Sequence, residues 1–143
     1  GLYFIIYISN YMNLEIINIA ANSKNNKDIK NHTHYSKLKN SICGDEIKIK
    51  LIIKEEKIIN FGYQTASCIY CQASASLLSK ISVNSKKDKI SKLCDEAKLF
   101  FSKDKKNFNN NLKLFSNLFT KENFARKDCI LLPFKALKKI VSD

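Results

Sequence analysis

Arginine is nearly missing from this chain: of its 25 basic residues only Arg126 is one, and lysines carry the formal balance to +12. A basic balance attracts phosphate without sequence preference, yet recognition of phosphates and base edges leans on arginine's planar fork. The lysines are also scattered among Ile, Leu and Phe, and Lys, Asn and Ile are inflated together, as a codon bias would do. A solvated basic face is therefore favoured over a basic zinc-stabilised nucleic-acid-binding module. Long apolar runs are missing as well. No segment approaches the roughly 18 to 20 apolar residues that cross a bilayer, so no membrane partner is expected. Met12 is the sole methionine, and the apolar start Gly1-Leu2-Tyr3-Phe4-Ile5-Ile6-Tyr7-Ile8 lacks the basic lead-in of an export signal. Residues 1–11 are expected to be a non-native or disordered leader, and 12–143 one domain.

An even cysteine count is lacking too. The thiols are Cys43, Cys68, Cys71, Cys94 and Cys129, an odd set with no signal-cleavage site, which implies a reducing, cytoplasmic compartment rather than a disulfide framework. There, a cluster of thiols with a nearby carboxylate is more often a metal or catalytic site than a bridge. The candidates are Cys43 and Asp45 in Cys43-Gly44-Asp45, with Cys68 and Cys129.

What is present organises the chain around those residues. Ile16, Ile17, Ile19 and Ala20 suit a short helix over Leu14 to Ala21, and Asn22 to Asn31 is a polar loop. Ile47, Ile49, Leu51 and Ile53 alternate with lysines, and Ile59, Phe61 and Tyr63 repeat the alternation after Lys54-Glu55-Glu56-Lys57, which predicts a β-hairpin. Matching Ile53 or Leu51 with Ile59 sets its register and brings Cys43 close to the position facing Cys68. Directly opposed residues have Cβ atoms only about 4.5 to 5.5 Å apart.

A helix follows on Ala73, Leu77, Leu78 and Ile81, with Ser67 as N-cap and Cys68 in the first turn, where the helix dipole favours thiolate. Ile90, Leu93, Cys94, Ala97, Phe100 and Phe101 form the stripe of a helix over Lys87 to Ser102, which makes Cys94 a buried small apolar residue. Lys103 to Asn111 is a linker. Leu112, Leu114, Phe115, Leu118 and Phe119 make a further short helix, and the last helix begins near the sole proline, Pro133, leaving Cys129 in the connection before it. His32 and His34 lie in a polar lead-in and are taken as solvated.

Three runs carry a resemblance: Ser41-Ile42-Cys43-Gly44-Asp45; Ala66-Ser67-Cys68-Ile69-Tyr70-Cys71-Gln72-Ala73-Ser74-Ala75-Ser76; and Ala125-Arg126-Lys127-Asp128-Cys129-Ile130-Leu131-Leu132-Pro133-Phe134. They resemble, in order and spacing, the three cysteine motifs of the U-type iron–sulfur scaffold family of NifU, IscU and SufU. The resemblance implies an α+β SufE/NifU-like fold, a short antiparallel sheet with helices mainly on one face. It implies that Cys43, Asp45, Cys68 and Cys129 hold iron, a transient [2Fe–2S] cluster or Zn2+. Three thiolates and one exchangeable oxygen suit either metal.

By the same resemblance, sulfur comes from a PLP-dependent cysteine desulfurase and the cluster passes to downstream carriers or apo-proteins, a carrier's role rather than an enzyme's. Cys129, placed on a connection, is the candidate persulfide acceptor, and Arg126 the basic group that steadies its thiolate or persulfide. Asp128 stands where the classical scaffold branch has His. The long segment before Cys129 is closer to the SufU-like branch, whose members bind zinc and accept sulfur, so a zinc-bound sulfur-transfer protein is the alternative. Cys71 is an addition to the motif; without a thioredoxin-like context, a helix-face role is favoured over a redox pair with Cys68.

Overall fold

The alternation around Ile49 becomes strand β2 (Glu46–Lys54), paired antiparallel with β3 (Lys57–Ala66) in the computed structural model, which describes residues 14–102 and 110–142. The register runs from Glu46 opposite Ala66 to Ile52 opposite Asn60, which is the pairing implied by matching Ile53 with Ile59. A bulge at Ile52/Ile53 then slips the last pairs to Ile53 opposite Ile58. The hairpin closes through Glu55 and Glu56 with φ of 51° and 66°, the left-handed pair that a two-residue turn needs to match strand twist.

A third strand was not foreseen. β1 (His34–Lys39) pairs antiparallel with β2 and gives the sheet order β1-β2-β3. His34 therefore opens a strand rather than lying in a loop. Only Ser36 of this strand is buried, so the period-two signal is faint.

Ile47, Ile49, Leu51, Ile58, Phe61 and Tyr63 are wholly buried, each worth about 2 kcal/mol of apolar transfer as an upper figure. Against them pack α2 (Ile69–Ser82) and α4 (Lys127–Val141), with α3 (Lys87–Phe100) on α4. This is the expected α+β arrangement, with lysines such as Lys48 on the open face of β2. α1 (residues 14–21) adds Ile16 and Ala20 to the core.

α2 can approach closely because its buried positions are small: Cys71, Ala73, Ser74, Ala75, Ser76 and Ser79. Two of their hydroxyls are hydrogen-bonded. Ser74 Oγ donates to the Ile130 carbonyl of α4 at 2.6 Å, and Ser79 Oγ donates to the Ser76 carbonyl at 2.8 Å while accepting from Asn25 Nδ2 at 3.0 Å. Such bonds offset the cost of burying them.

Two elements depart from expectation. The segment after the linker is not α-helical: Asn110–Phe115 and Lys121–Arg126 are 3₁₀ turns. Phe115 and Phe119 are held in an aromatic group with Phe100, Phe101 and Phe134, at ring separations of 4.9 to 5.8 Å. Leu114, expected inward, is exposed. The last helix starts at Lys127, a full turn and more before Pro133, which lies inside it. Proline lacks an N–H for the carbonyl four residues back, here that of Cys129; the buried face from Cys129 to Val141 outweighs that loss. The leader 1–11 and most of the Lys103–Asn111 linker fall outside the described residues.

Candidate metal centre

At one end of the sheet, the β1–β2 connection and the starts of α2 and α4 meet. Asn40 shapes the connection: its N–H donates to the Asp45 carbonyl at 2.7 Å, its carbonyl accepts from Gly44 N at 2.8 Å, and its Oδ1 accepts from Ile42 N at 2.9 Å. Gly44, at φ 77°, makes the reversal that L-residues resist. The loop leaves Cys43 exposed and turns Asp45 inward, 7% exposed.

Cys68 is not in the first turn of α2. It is the N-cap itself, with extended φ and ψ, so Ser67 lies one residue outside the helix. Its backbone N–H donates to Asp45 Oδ1 at 3.3 Å. Cys129, expected on a connection, is the third residue of α4 and buried. Helix α4 begins there because the Lys121–Arg126 turn, capped by Thr120 Oγ1 accepting from Asn123 N, delivers the chain directly into it.

The donor atoms of Cys43, Asp45 and Cys129 all lie within 4.8 Å of one another. Cys129 Sγ is 3.8 Å from Cys43 Sγ, far beyond a disulfide bond and equal to the edge of a tetrahedron with metal–sulfur bonds of about 2.3 Å. Cys68 stands outside that mutual spacing but borders it. Burial first, then its neighbours Cys68, Asp45 and Cys43, push the Cys129 thiol up. The hairpin ladder stops at Glu46 opposite Ala66, so strand pairing alone does not join Cys43 to Cys68; α4 completes the site.

Asp45 Oδ2 is buried with no hydrogen-bond partner. An orphaned carboxylate oxygen beside three thiols is a costly arrangement that a bound cation relieves. The donor set therefore fits a thiophilic metal. Cys68 caps the N-terminus of α2 and Cys129 lies in the first turn of α4, where the helix dipole favours a thiolate ligand.

The other candidates separate from the centre. Arg126 caps α4, its guanidinium 5.3 Å from the Tyr70 ring centre in the first turn of α2, a stacking with no sequence signal. Cys94 is buried, as its stripe implied, and burial pushes it up to about 12. Cys71 is fully buried beneath Thr65 and Ser67, and its thiol is likewise pushed up to about 12 by burial. His34 pairs with Leu51 at the opposite end of β1 from Lys39, far along the strand from Cys43.

A three-stranded antiparallel sheet covered by helices on one face, with thiols and a carboxylate gathered at its end, makes a small α+β domain with a candidate metal centre. The comparisons make it specific. Residues 11–99 match the NifU-like N terminal domain, and the chain belongs to that family of iron–sulfur cluster assembly scaffolds. It is 34% identical over 120 residues to an uncharacterised protein of Borreliella burgdorferi, covering 84% of this chain and 83% of that one. It is 28% identical over 128 residues to the iron–sulfur cluster assembly scaffold protein IscU of Thermotoga maritima, covering 87% of each. The crystal structure of a SUF-system iron–sulfur cluster assembly scaffold from Fervidobacterium islandicum superposes with a TM-score of 0.78 at 23% identity, over 87% of this chain and 91% of that one, which supports the fold. Among the described residues no helix is long and apolar enough to cross a membrane.

Proposed function

We propose that this protein accepts sulfur from a PLP-dependent cysteine desulfurase and assembles iron with it into a transient [2Fe–2S] cluster on Cys43, Asp45, Cys68 and Cys129, then passes the cluster to carriers or apo-proteins. The observation that carries the reading is the buried, unpartnered Asp45 Oδ2 among these thiols. A hard carboxylate among soft thiolates gives the cargo one weak bond by which it can leave.

Cys129 lies inside α4 rather than on a mobile connection, so it is not the thiol most free to meet an incoming persulfide. Cys43 is the exposed thiol, and Cys129 lies 3.8 Å inward from it. Sulfur therefore arrives on Cys43 and reaches Cys129 by thiol–persulfide exchange. Arg126, between the first turns of α2 and α4, supplies positive charge to an anionic persulfide or cluster.

A second reading has its own support. The 3.8 Å sulfur–sulfur spacing suits one tetrahedral zinc ion, which would make the protein a zinc-bound sulfur-transfer partner of the desulfurase. Alanine at Cys43, Cys68 and Cys129, each in turn, tests both readings. Loss of bound metal and of desulfurase stimulation is expected; unchanged metal content and stimulation in all three would remove the site.

A further inference from the structure

The family-type site uses three of the five thiols and leaves Cys71 unexplained. Cys68 is the N-cap of α2 and Cys71 its third residue, and Gln72 N donates to the Cys68 carbonyl at 3.1 Å, closing the first turn between them. Helix geometry puts Cα atoms three residues apart at about 5 Å, inside the range that a disulfide spans. Cys71 is fully shielded from solvent, Thr65 Oγ1 lies 3.9 Å from its Sγ, and it sits one helical turn from Cys68, whose backbone N–H donates to Asp45 Oδ1. A thiol at the helix start with a second, buried thiol one turn in is the arrangement of a dithiol that forms and breaks a disulfide within one turn. The sequence context gave no such pairing, because no strand–helix–strand unit of the thioredoxin kind surrounds it.

We propose that Cys71 is a resolving thiol that reduces a persulfide on Cys68 and frees sulfide inside the site. This rests on the sulfur-accepting reading above. The sulfur reaches Cys68 by exchange from Cys43 or Cys129. The Cys71 thiol then attacks Cys68 Sγ, a Cys68–Cys71 disulfide forms, and the bond to the outer sulfur breaks. That sulfur leaves as hydrogen sulfide with its own proton and the one from Cys71. The sulfane sulfur gains two electrons and the cysteine pair loses two. An external dithiol restores the pair for the next round. The device supplies sulfide at the place where iron is held and keeps free sulfide low elsewhere.

The test uses metal-free full-length protein loaded anaerobically with inorganic polysulfide, so that it does not depend on any desulfurase. Excess reagent is removed, released sulfide is trapped, and cysteine linkages are mapped by peptide mass. Wild type is expected to release sulfide without added thiol and to carry a Cys68–Cys71 disulfide. Cys71→Ser is expected to keep its sulfane sulfur and release on the order of tenfold less sulfide until a reductant is added. Equal release from Cys71→Ser, linkage of Cys68 to another cysteine, or failure of Cys68 to take up sulfur would each overturn the proposal. Should Cys71→Ser not fold, Cys71→Ala and the wild-type linkage map decide it. Normal metal binding alongside a negative result would leave the scaffold reading standing.

Discussion

Cys43 and Cys129 are 86 residues apart in sequence and 3.8 Å apart at sulfur, the contact that ties the β1–β2 loop to the first turn of α4. A metal held there binds the folded chain and not the unfolded one. Zinc in about hundredfold excess over its dissociation constant should therefore stabilise the protein by about 2.7 kcal/mol, read as a rise in melting temperature. Cys43→Ala should abolish that rise, and a full rise in the variant would contradict a shared site.

Buried thiols give the metal-free protein a defined pH response. Burial pushes the Cys71 and Cys94 thiols up from the ordinary cysteine range near 9 to about 12. Above pH 9 the unfolded chain sheds these protons while the folded chain keeps them. Stability is thus fully present below about pH 9 and declines as pH rises towards 12. The expected slope is about 1.4 kcal/mol per thiol per pH unit. Urea midpoints at pH 8 and pH 10 measure it, and Cys94→Ala should reduce the slope by its own share. A midpoint that does not move with pH would contradict the burial.

The hairpin turn carries strain that its residues do not suit. Glu55 and Glu56 both hold positive φ, at 51° and 66°, where an L-residue with a Cβ is disfavoured by about 1 to 2 kcal/mol. Asn-Gly is the preferred pair for this turn. The double change Glu55→Asn, Glu56→Gly should raise stability by about 1 kcal/mol in a urea melt; a loss would mean that the Glu56–Lys87 ion pair at 3.1 Å matters more than the backbone.

How much of this was legible follows from the physics of each element. The β2–β3 register could be read from Ile53 and Ile59 because alternation fixes a strand whose one face is buried. β1 could not, since Tyr35 and Lys37 are exposed and Ser36 is its one buried residue. Proline rules placed the start of α4 at Pro133; tertiary burial of Ile130, Leu131 and Leu132 carried the helix back to Lys127. That shift moved Cys129 from a loop to a buried helical turn and changed the expected order of sulfur transfer. The three motifs named Cys43, Asp45 and Cys129, whose donor atoms the fold brings within 4.8 Å of one another, whereas the contact of Cys129 with Cys43 and the stacking of Arg126 on Tyr70 depend on how α4 docks.

Gly62 tests how the N-terminal loop is held. A Cβ there would lie 2.7 Å from the Lys27 carbonyl and 2.9 Å from Ile29 Cγ2, and the adjacent Tyr63 N–H donates to the Asn25 carbonyl at 3.0 Å. Gly62→Ala should cost about 1 to 3 kcal/mol by overpacking and raise proteolytic cutting near residues 24–30. Wild-type stability in this variant would show that the loop gives way freely.

The central claim is that Cys43, Asp45, Cys68 and Cys129 form one metal centre that builds a cluster. Anaerobic reconstitution with iron, cysteine and a cysteine desulfurase, followed by visible absorption and metal analysis of the desalted protein, tests it most directly. A thiolate-ligated iron–sulfur chromophore that is lost in Cys43→Ala is the predicted result. A colourless protein without bound iron would contradict cluster assembly, and one tightly held zinc in its place would transfer the account to sulfur delivery.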